Sequence, residues 1–220
     1  MTIEHHPNEE TLLDYASGAM GEAWSLAVAT HMAMCPDCRH AVEELEALAG
    51  VLLEEIQPEI MSSGLLSHNA ELLTETAQEL PSGPATVMKD AAASNLPQPL
   101  RGYIGGDLSS LKWRRFGVGA AQIIVPTADP ECTVRLLRIP AGKPVPEHSH
   151  NGAEFTLVLS GSFSDHSGGY GPGDLQEADS DVLHQPIAGD AEDCICLAIT
   201  DAPLKFSSLA ARVVQPFINI

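Results

Sequence analysis

Three soft-metal ligands fall within eight residues of this chain: His31, Cys35 and Cys38, in the run HMAMCPDC. The H-x3-C-x2-C spacing constrains the fold more than any other feature. Zinc takes four N/S ligands in a tetrahedron, and a closed structural site draws them from separated segments. His31 and Cys35 are four apart, on one side of a helix end, and Cys38 follows about one turn later at the start of the next helix. A metal held there pins the turn between the two helices. The fourth ligand must come from elsewhere, and the His5-His6 pair upstream offers it. His6, at the foot of the first helical pattern, is the choice over His5, and His40 reads as a solvated helix residue.

The surrounding pattern is helical. Asn8 is a good N-cap, with Glu9 and Glu10 favourably placed in the first turn. Leu12, Leu13, Ala16 and Ala19 give that helix an apolar side, and Gly18 and Gly21 end it. A second helix is predicted from Glu22 through Met34. A third starts at the CPDC turn, where Pro36 is tolerated. Its apolar stripe runs Val42, Leu45, Leu48, Leu52, Ile56 until Pro58. A weaker fourth pattern covers roughly 65 to 80. Residues 81–100 are rich in Pro, Ala and Ser without periodicity and read as a linker. From about residue 101 short β-type runs (AQIIVP, CTVRLLRIP, EFTLVLSGSF, DCICLAIT) alternate with Gly, Pro and Asp turns, the pattern of a barrel or sandwich.

Charge narrows the partners. The chain carries 30 acidic and 11 basic residues, a formal −19, and its first 60 residues hold 12 acids and one base, Arg39. A phosphate-binding surface needs clustered Lys and Arg, so direct nucleic-acid binding is excluded for this half. An acidic face suits a basic protein partner, or serves solubility alone. MTIEHHPNEE is neither a secretory nor a transit signal, and no apolar run approaches the ~20 residues that cross a bilayer. Five cysteines, two of them in C-x2-C beside a histidine, fit a reducing compartment better than a disulfide scaffold. The expectation is a cytoplasmic protein.

A second constellation lies in the β region. GKPVPEHSHNGAEFTLVLSG reads G-x5-H-x-H-x3-E-x6-G from Gly142 to Gly161. His148 and His150 share one face of an extended segment, Glu154 has the same parity, and His184 lies eleven positions after Gly173. Three imidazoles and a carboxylate suit Zn2+ or another divalent ion such as Fe2+, Mn2+ or Ni2+. Cys194 and Cys196 face the same way on the DCICLAIT strand, either as small core hydrophobes or as thiols near the metal that respond to oxidants.

The Gly142–Gly161 run closely resembles the first cupin motif. The second cupin motif is met at Gly173 and His184, whereas Asp179, Asp181 and Ala188 stand where Pro, Gly and Asn are usual. The resemblance implies a small jelly-roll cupin with His148, His150, Glu154 and His184 facing a metal inside it. The helical unit with its upstream histidine and H-x3-C-x2-C is similar to the zinc-binding anti-sigma domain, and the whole chain resembles ChrR-type anti-sigma factors. That implies an all-α zinc-binding bundle over 1–80, a linker over 81–100 and an all-β cupin sensor over 101–220. It further implies a 1:1 partner, an extracytoplasmic-function (group IV) sigma factor held away from RNA polymerase. Release would follow oxidative stress of the singlet-oxygen type, without catalysis. Two other classes stay open: a cupin dioxygenase with a regulatory zinc domain, and a ligand-binding or oligomerising cupin whose helices dock another protein.

Overall fold

The computed structural model describes residues 2–60, 62, 64, 65, 69, 70, 96–106, 108, 110–116 and 119–207. The fourth helical pattern over 65–80 lies largely outside the described residues, as does most of the stretch read as a linker. Two compact units emerge, one made of Met1–Glu46 together with Asn95–Ile220, the other of Ala47–Ser94.

Helix α1 (Glu9–Ala16) starts at Asn8, whose side-chain oxygen accepts from the Thr11 amide at 2.9 Å. Helix α2 (Glu22–Met34) begins at Gly21, which has no side chain to cap it. The cap comes from a distant loop, where Asp129 Oδ2 accepts from the Ala23 amide at 2.7 Å. Arg39 closes the other end, donating from Nε and Nη2 to the Met32 carbonyl at 3.2 and 3.0 Å, a cation on the negative end of the helix dipole. Helix α3 (Pro36–Glu55) opens at Pro36. A short helix α4 (Gln98–Ile104) ends in left-handed Gly105, so the stretch read as a linker finishes in an ordered helix.

The C-terminal part is a barrel of antiparallel strands, giving the chain the helical-plus-cupin class expected. Its strands are β1 (Arg114–Phe116), β2 (Ala120–Val125), β3 (Thr133–Ile139), β4 (His148–Ser149), β5 (Glu154–Ser160), β6 (Phe163–Asp165), β7 (Gly168–Tyr170), β8 (Leu175–Ala178), β9 (Leu183–His184), β10 (Ile187–Ala188), β11 (Cys194–Thr200) and β12 (Lys205–Phe206). Six form one sheet in the order β1-β2-β3-β11-β5-β8, and two three-stranded sheets, β10-β6-β7 and β12-β4-β9, complete it.

Two apolar layers hold this unit. Leu136, Leu157, Leu197 and Ile199 on one face of the large sheet meet Ala23, Leu26 and Ala27 of α2 and Leu100 of α4. Ala23 and Ala27 are fully buried, and side chains this small let the helix lie close to the sheet. Trp24 meets Phe155 edge-on at 4.7 Å. Each buried leucine contributes about 2 kcal/mol by burial. On the opposite face Ile139, Val158, Phe163, Tyr170, Ala188 and Cys194 fill the inside of the barrel. Helix α2 is apolar on several sides because it serves two neighbours, the sheet and the cluster of Leu12, Val28, Cys35, Cys38 and Val42.

Candidate metal centres

The first centre forms where α2 turns into α3. The ligand atoms of His6, His31, Cys35 and Cys38 all lie within 4.8 Å of one another. His31 Nε2 is 3.3 Å from Cys38 Sγ, and His6 Nδ1 is 3.4 and 3.3 Å from Cys35 and Cys38 Sγ. A zinc tetrahedron built from bonds of ~2.0 Å to nitrogen and ~2.3 Å to sulfur has N–S edges of about 3.5 Å. His31 Nδ1 donates to the Gly173 carbonyl at 2.7 Å. A carbonyl can only accept, so the hydrogen sits on Nδ1 and Nε2 turns a lone pair toward the sulfurs. The Cys38 amide points at Cys35 Sγ, 3.5 Å away. His5 is turned elsewhere, its ring centroid 4.2 Å from that of Tyr170 and its Nδ1 3.7 Å from Asp174 Oδ1.

Burial sets the ligands' protonation. His31 is lowered to about 4 by desolvation, against the pull of the Gly173 carbonyl, so it is neutral at pH 7. The Cys38 thiol is pushed up to about 12 by burial and by the neighbouring Cys35 sulfur. A metal ion must therefore displace a proton to bind there.

The second centre sits inside the barrel, where β4 pairs with β9 and sets His148 opposite His184. His148 Nε2 is 3.0 Å and His150 Nε2 is 3.3 Å from His184 Nε2, and all three residues are buried. His148 Nδ1 donates to the Pro146 carbonyl at 2.8 Å, and His184 Nδ1 to Asp165 Oδ2 at 2.8 Å. Those two Nε2 atoms are thus lone pairs aimed at each other. Such convergence is repulsive until a cation sits between them, and the donor set fits one. Burial lowers the His148 pKa, against the pull of Glu154, so the imidazole is neutral at pH 7.

Glu154 stands beside this trio. Its Oε2 faces His150 Nδ1 at 3.2 Å without an aligned hydrogen bond, and its Oε1 accepts from Thr156 Oγ1 at 2.9 Å. Burial pushes its carboxyl up, but His150, His148 and Thr156 together bring it below the usual value. Cys194 and Cys196 are both buried on β11. The Cys196 thiol is raised well above its ordinary value, first by its hydrogen bond with Cys194 and then by burial, so it is protonated at neutral pH.

A sequence profile for the ChrR Cupin-like domain matches residues 103–202. Over all 220 residues, the full length of both proteins, the chain is 43% identical to the anti-sigma-E factor ChrR of Cereibacter sphaeroides. The chain belongs to the ChrR anti-sigma factor family. In agreement, it superposes on a chain in the crystal structure of Rhodobacter sphaeroides SigE in complex with the anti-sigma ChrR with a TM-score of 0.75. That match has 39% identity and covers 90% of this chain and 99% of the other.

Within this ChrR-family chain, two groups around the candidate metal centres are invisible to motif reading. Asp165, which fixes the His184 ring, sits one position before His166, an exposed histidine that carries no contact with the trio. Gly173 marks the second cupin motif in sequence, yet its carbonyl holds His31 of the first candidate centre. No local signal marks either role, because each partner lies 19 or more residues away.

Proposed function

We propose that this chain is an anti-sigma factor that captures a group IV sigma factor 1:1, keeps it from RNA polymerase, and releases it under oxidative stress of the singlet-oxygen type. The observation that carries the capture reading is the state of α3. Its apolar stripe is buried only at Val42 and partly at Leu45, while Leu48, Val51, Leu52, Leu53 and Ile56 are more than half exposed. A row of this kind on an amphipathic helix is a ready anchor for an apolar groove. Glu43, Glu44, Glu46, Glu54 and Glu55 beside it complement a basic, polymerase- or DNA-facing partner surface.

In this reading residues 1–80 perform capture and residues 101–220 perform sensing, in the cytoplasm. Zinc is held by His6, His31, Cys35 and Cys38, and it contributes folding energy to a helical unit with a small core. The barrel holds zinc or another divalent ion through His148, His150 and His184, with Glu154 as the fourth ligand once its carboxylate turns from His150. Cys194 and Cys196, buried on β11, are the oxidisable groups. The role is regulatory rather than catalytic.

Coexpression of the full chain with candidate group IV sigma factors tests this. A stoichiometric complex that blocks sigma-dependent transcription supports it. Absence of any sigma complex, together with oxygen uptake by the iron-loaded barrel on small substrates, contradicts it.

A further inference from the structure

Half of the first site's ligand set is aimed by the barrel. Strand β8 is the edge of the six-stranded sheet, and the N-terminal arm covers it. Asp174 Oδ1, just before β8, accepts from the Glu4 and His5 amides at 2.7 and 2.9 Å, and its Oδ2 accepts from Gly171 N at 2.7 Å. The Leu175 amide donates to the His5 carbonyl at 3.1 Å, and the Asn8 side-chain amide donates to Glu177. His6 lies between these ties, so its position follows theirs. His31 is held by the Gly173 carbonyl of the same turn. Gly173 has φ +96°, and a Cβ there would collide with the Ile3 side chain of the arm, so only glycine both makes the turn and admits the arm.

We infer that the Gly171–Asp174 turn is the outer shell of the first metal site, so that metal binding there and docking of the N-terminal arm on the barrel are thermodynamically linked. Outer partners fix the tautomer and aim of a ligating histidine, and losing one weakens metal affinity by about ten- to a hundredfold. Linkage is reciprocal, so metal loss must loosen the docked arm by the same factor. One residue beyond Leu175, β8 also reaches the surroundings of the second site, through Gln176 Nε2 donating to Asp165 Oδ2 at 2.9 Å. The same short strand thus touches the surroundings of both centres. The inference rests on the reading that the first site binds zinc.

Cobalt substitution of the full chain reads the first site alone, because its sulfur-to-cobalt absorption needs the Cys35 and Cys38 thiolates. Asp174→Ala is expected to weaken cobalt binding at that site at least tenfold. Asp174→Asn, whose Oδ1 still accepts from Glu4 and His5, is expected to restore most of it. Asp193→Ala, which removes the acid holding Arg138 and the Ala141 amide on the far loop, leaves it unchanged. Hydrogen exchange on the unaltered chain needs no variant. Removing the metal speeds exchange at the Glu4, His5 and Leu175 amides and not within the β3–β11 pairing. Undiminished affinity in Asp174→Ala, or unchanged exchange at those three amides, overturns the linkage. A wild-type chain with no sulfur-to-cobalt band overturns the zinc reading instead.

Discussion

His184 donates its Nδ1 hydrogen to Asp165 Oδ2 at 2.8 Å, in a pair whose side chains are 2% and 0% exposed. Burial raises the Asp165 carboxyl, but bonds from the Ser167 hydroxyl, Gln176, the Ser167 amide and His184 outweigh it and hold the acid well below the usual carboxylate range. The aspartate is therefore charged at neutral pH, and it keeps the opposite imidazole nitrogen free for a metal. Replacing Asp165 with Ala is expected to lower affinity at the barrel site by about ten- to a hundredfold. Metal content after dialysis against a graded chelator measures this, with the sulfur-to-cobalt band of the first site as the internal reference.

Zinc uptake at the first site is expected to release protons and to strengthen with rising pH. The Cys38 thiol sits at about 12 before the metal arrives, so at pH 7 its proton must leave. Calorimetric titration in buffers of different ionisation enthalpy counts the protons. An uptake that is pH-independent between 6 and 8 contradicts this assignment of ligands.

The metal-stripped chain is expected to lose stability on acidification through His31. Its folded-state value of about 4 lies below the ordinary 6.5, so the unfolded chain takes up the proton first. The stabilisation is fully present above 6.5 and is lost as pH falls toward 4. Its full extent is roughly 3 kcal/mol. Denaturant midpoints of the stripped chain at pH 7, 6 and 5 follow it.

Leu48→Glu combined with Leu52→Glu is expected to abolish sigma capture while leaving the fold's melting temperature unchanged. Both side chains are more than half exposed, so the folded chain alone loses little, whereas an apolar anchor in an interface is worth 2 kcal/mol or more. Titration of labelled sigma factor with wild type and variant separates the two effects.

Ala27→Leu probes the packing of α2 on the sheet. Ala27 is fully buried among Leu157, Leu197 and their neighbours, and overfilling such a site costs about 1–3 kcal/mol. The denaturant midpoint is expected to fall accordingly.

What the sequence revealed follows the range of the interactions involved. H-x3-C-x2-C and H-x-H-x3-E are legible because their members are close in sequence, although Cys38 lies past the turn from α2 into α3 and Glu154 past the turn from β4 into β5. Helix α2 runs over Glu22–Met34 as its pattern predicts. The apolar stripe from Val42 to Ile56 was legible as a helix face but not as an uncovered one, since periodicity does not say what lies opposite. Leu96 and Leu100, four apart around Pro97, are buried in the stretch read as a linker. Leu96 precedes α4 and Leu100 lies in its first turn, so no helical period joins the two. The docking of Glu4, His5 and Asn8 onto Asp174, Leu175 and Glu177 joins positions about 170 residues apart, and no local pattern encodes such a pairing.

If a metal-clamped helical unit presents the sigma-binding surface, titrating a cognate group IV sigma factor into the full chain before and after removal of the first-site metal must reveal the dependence. A 1:1 complex is expected for the metal-loaded chain, with loss of that complex for the stripped chain and for Cys35→Ala with Cys38→Ala, and recovery when zinc is returned to the wild type. Equal sigma affinity with and without the metal contradicts that dependence.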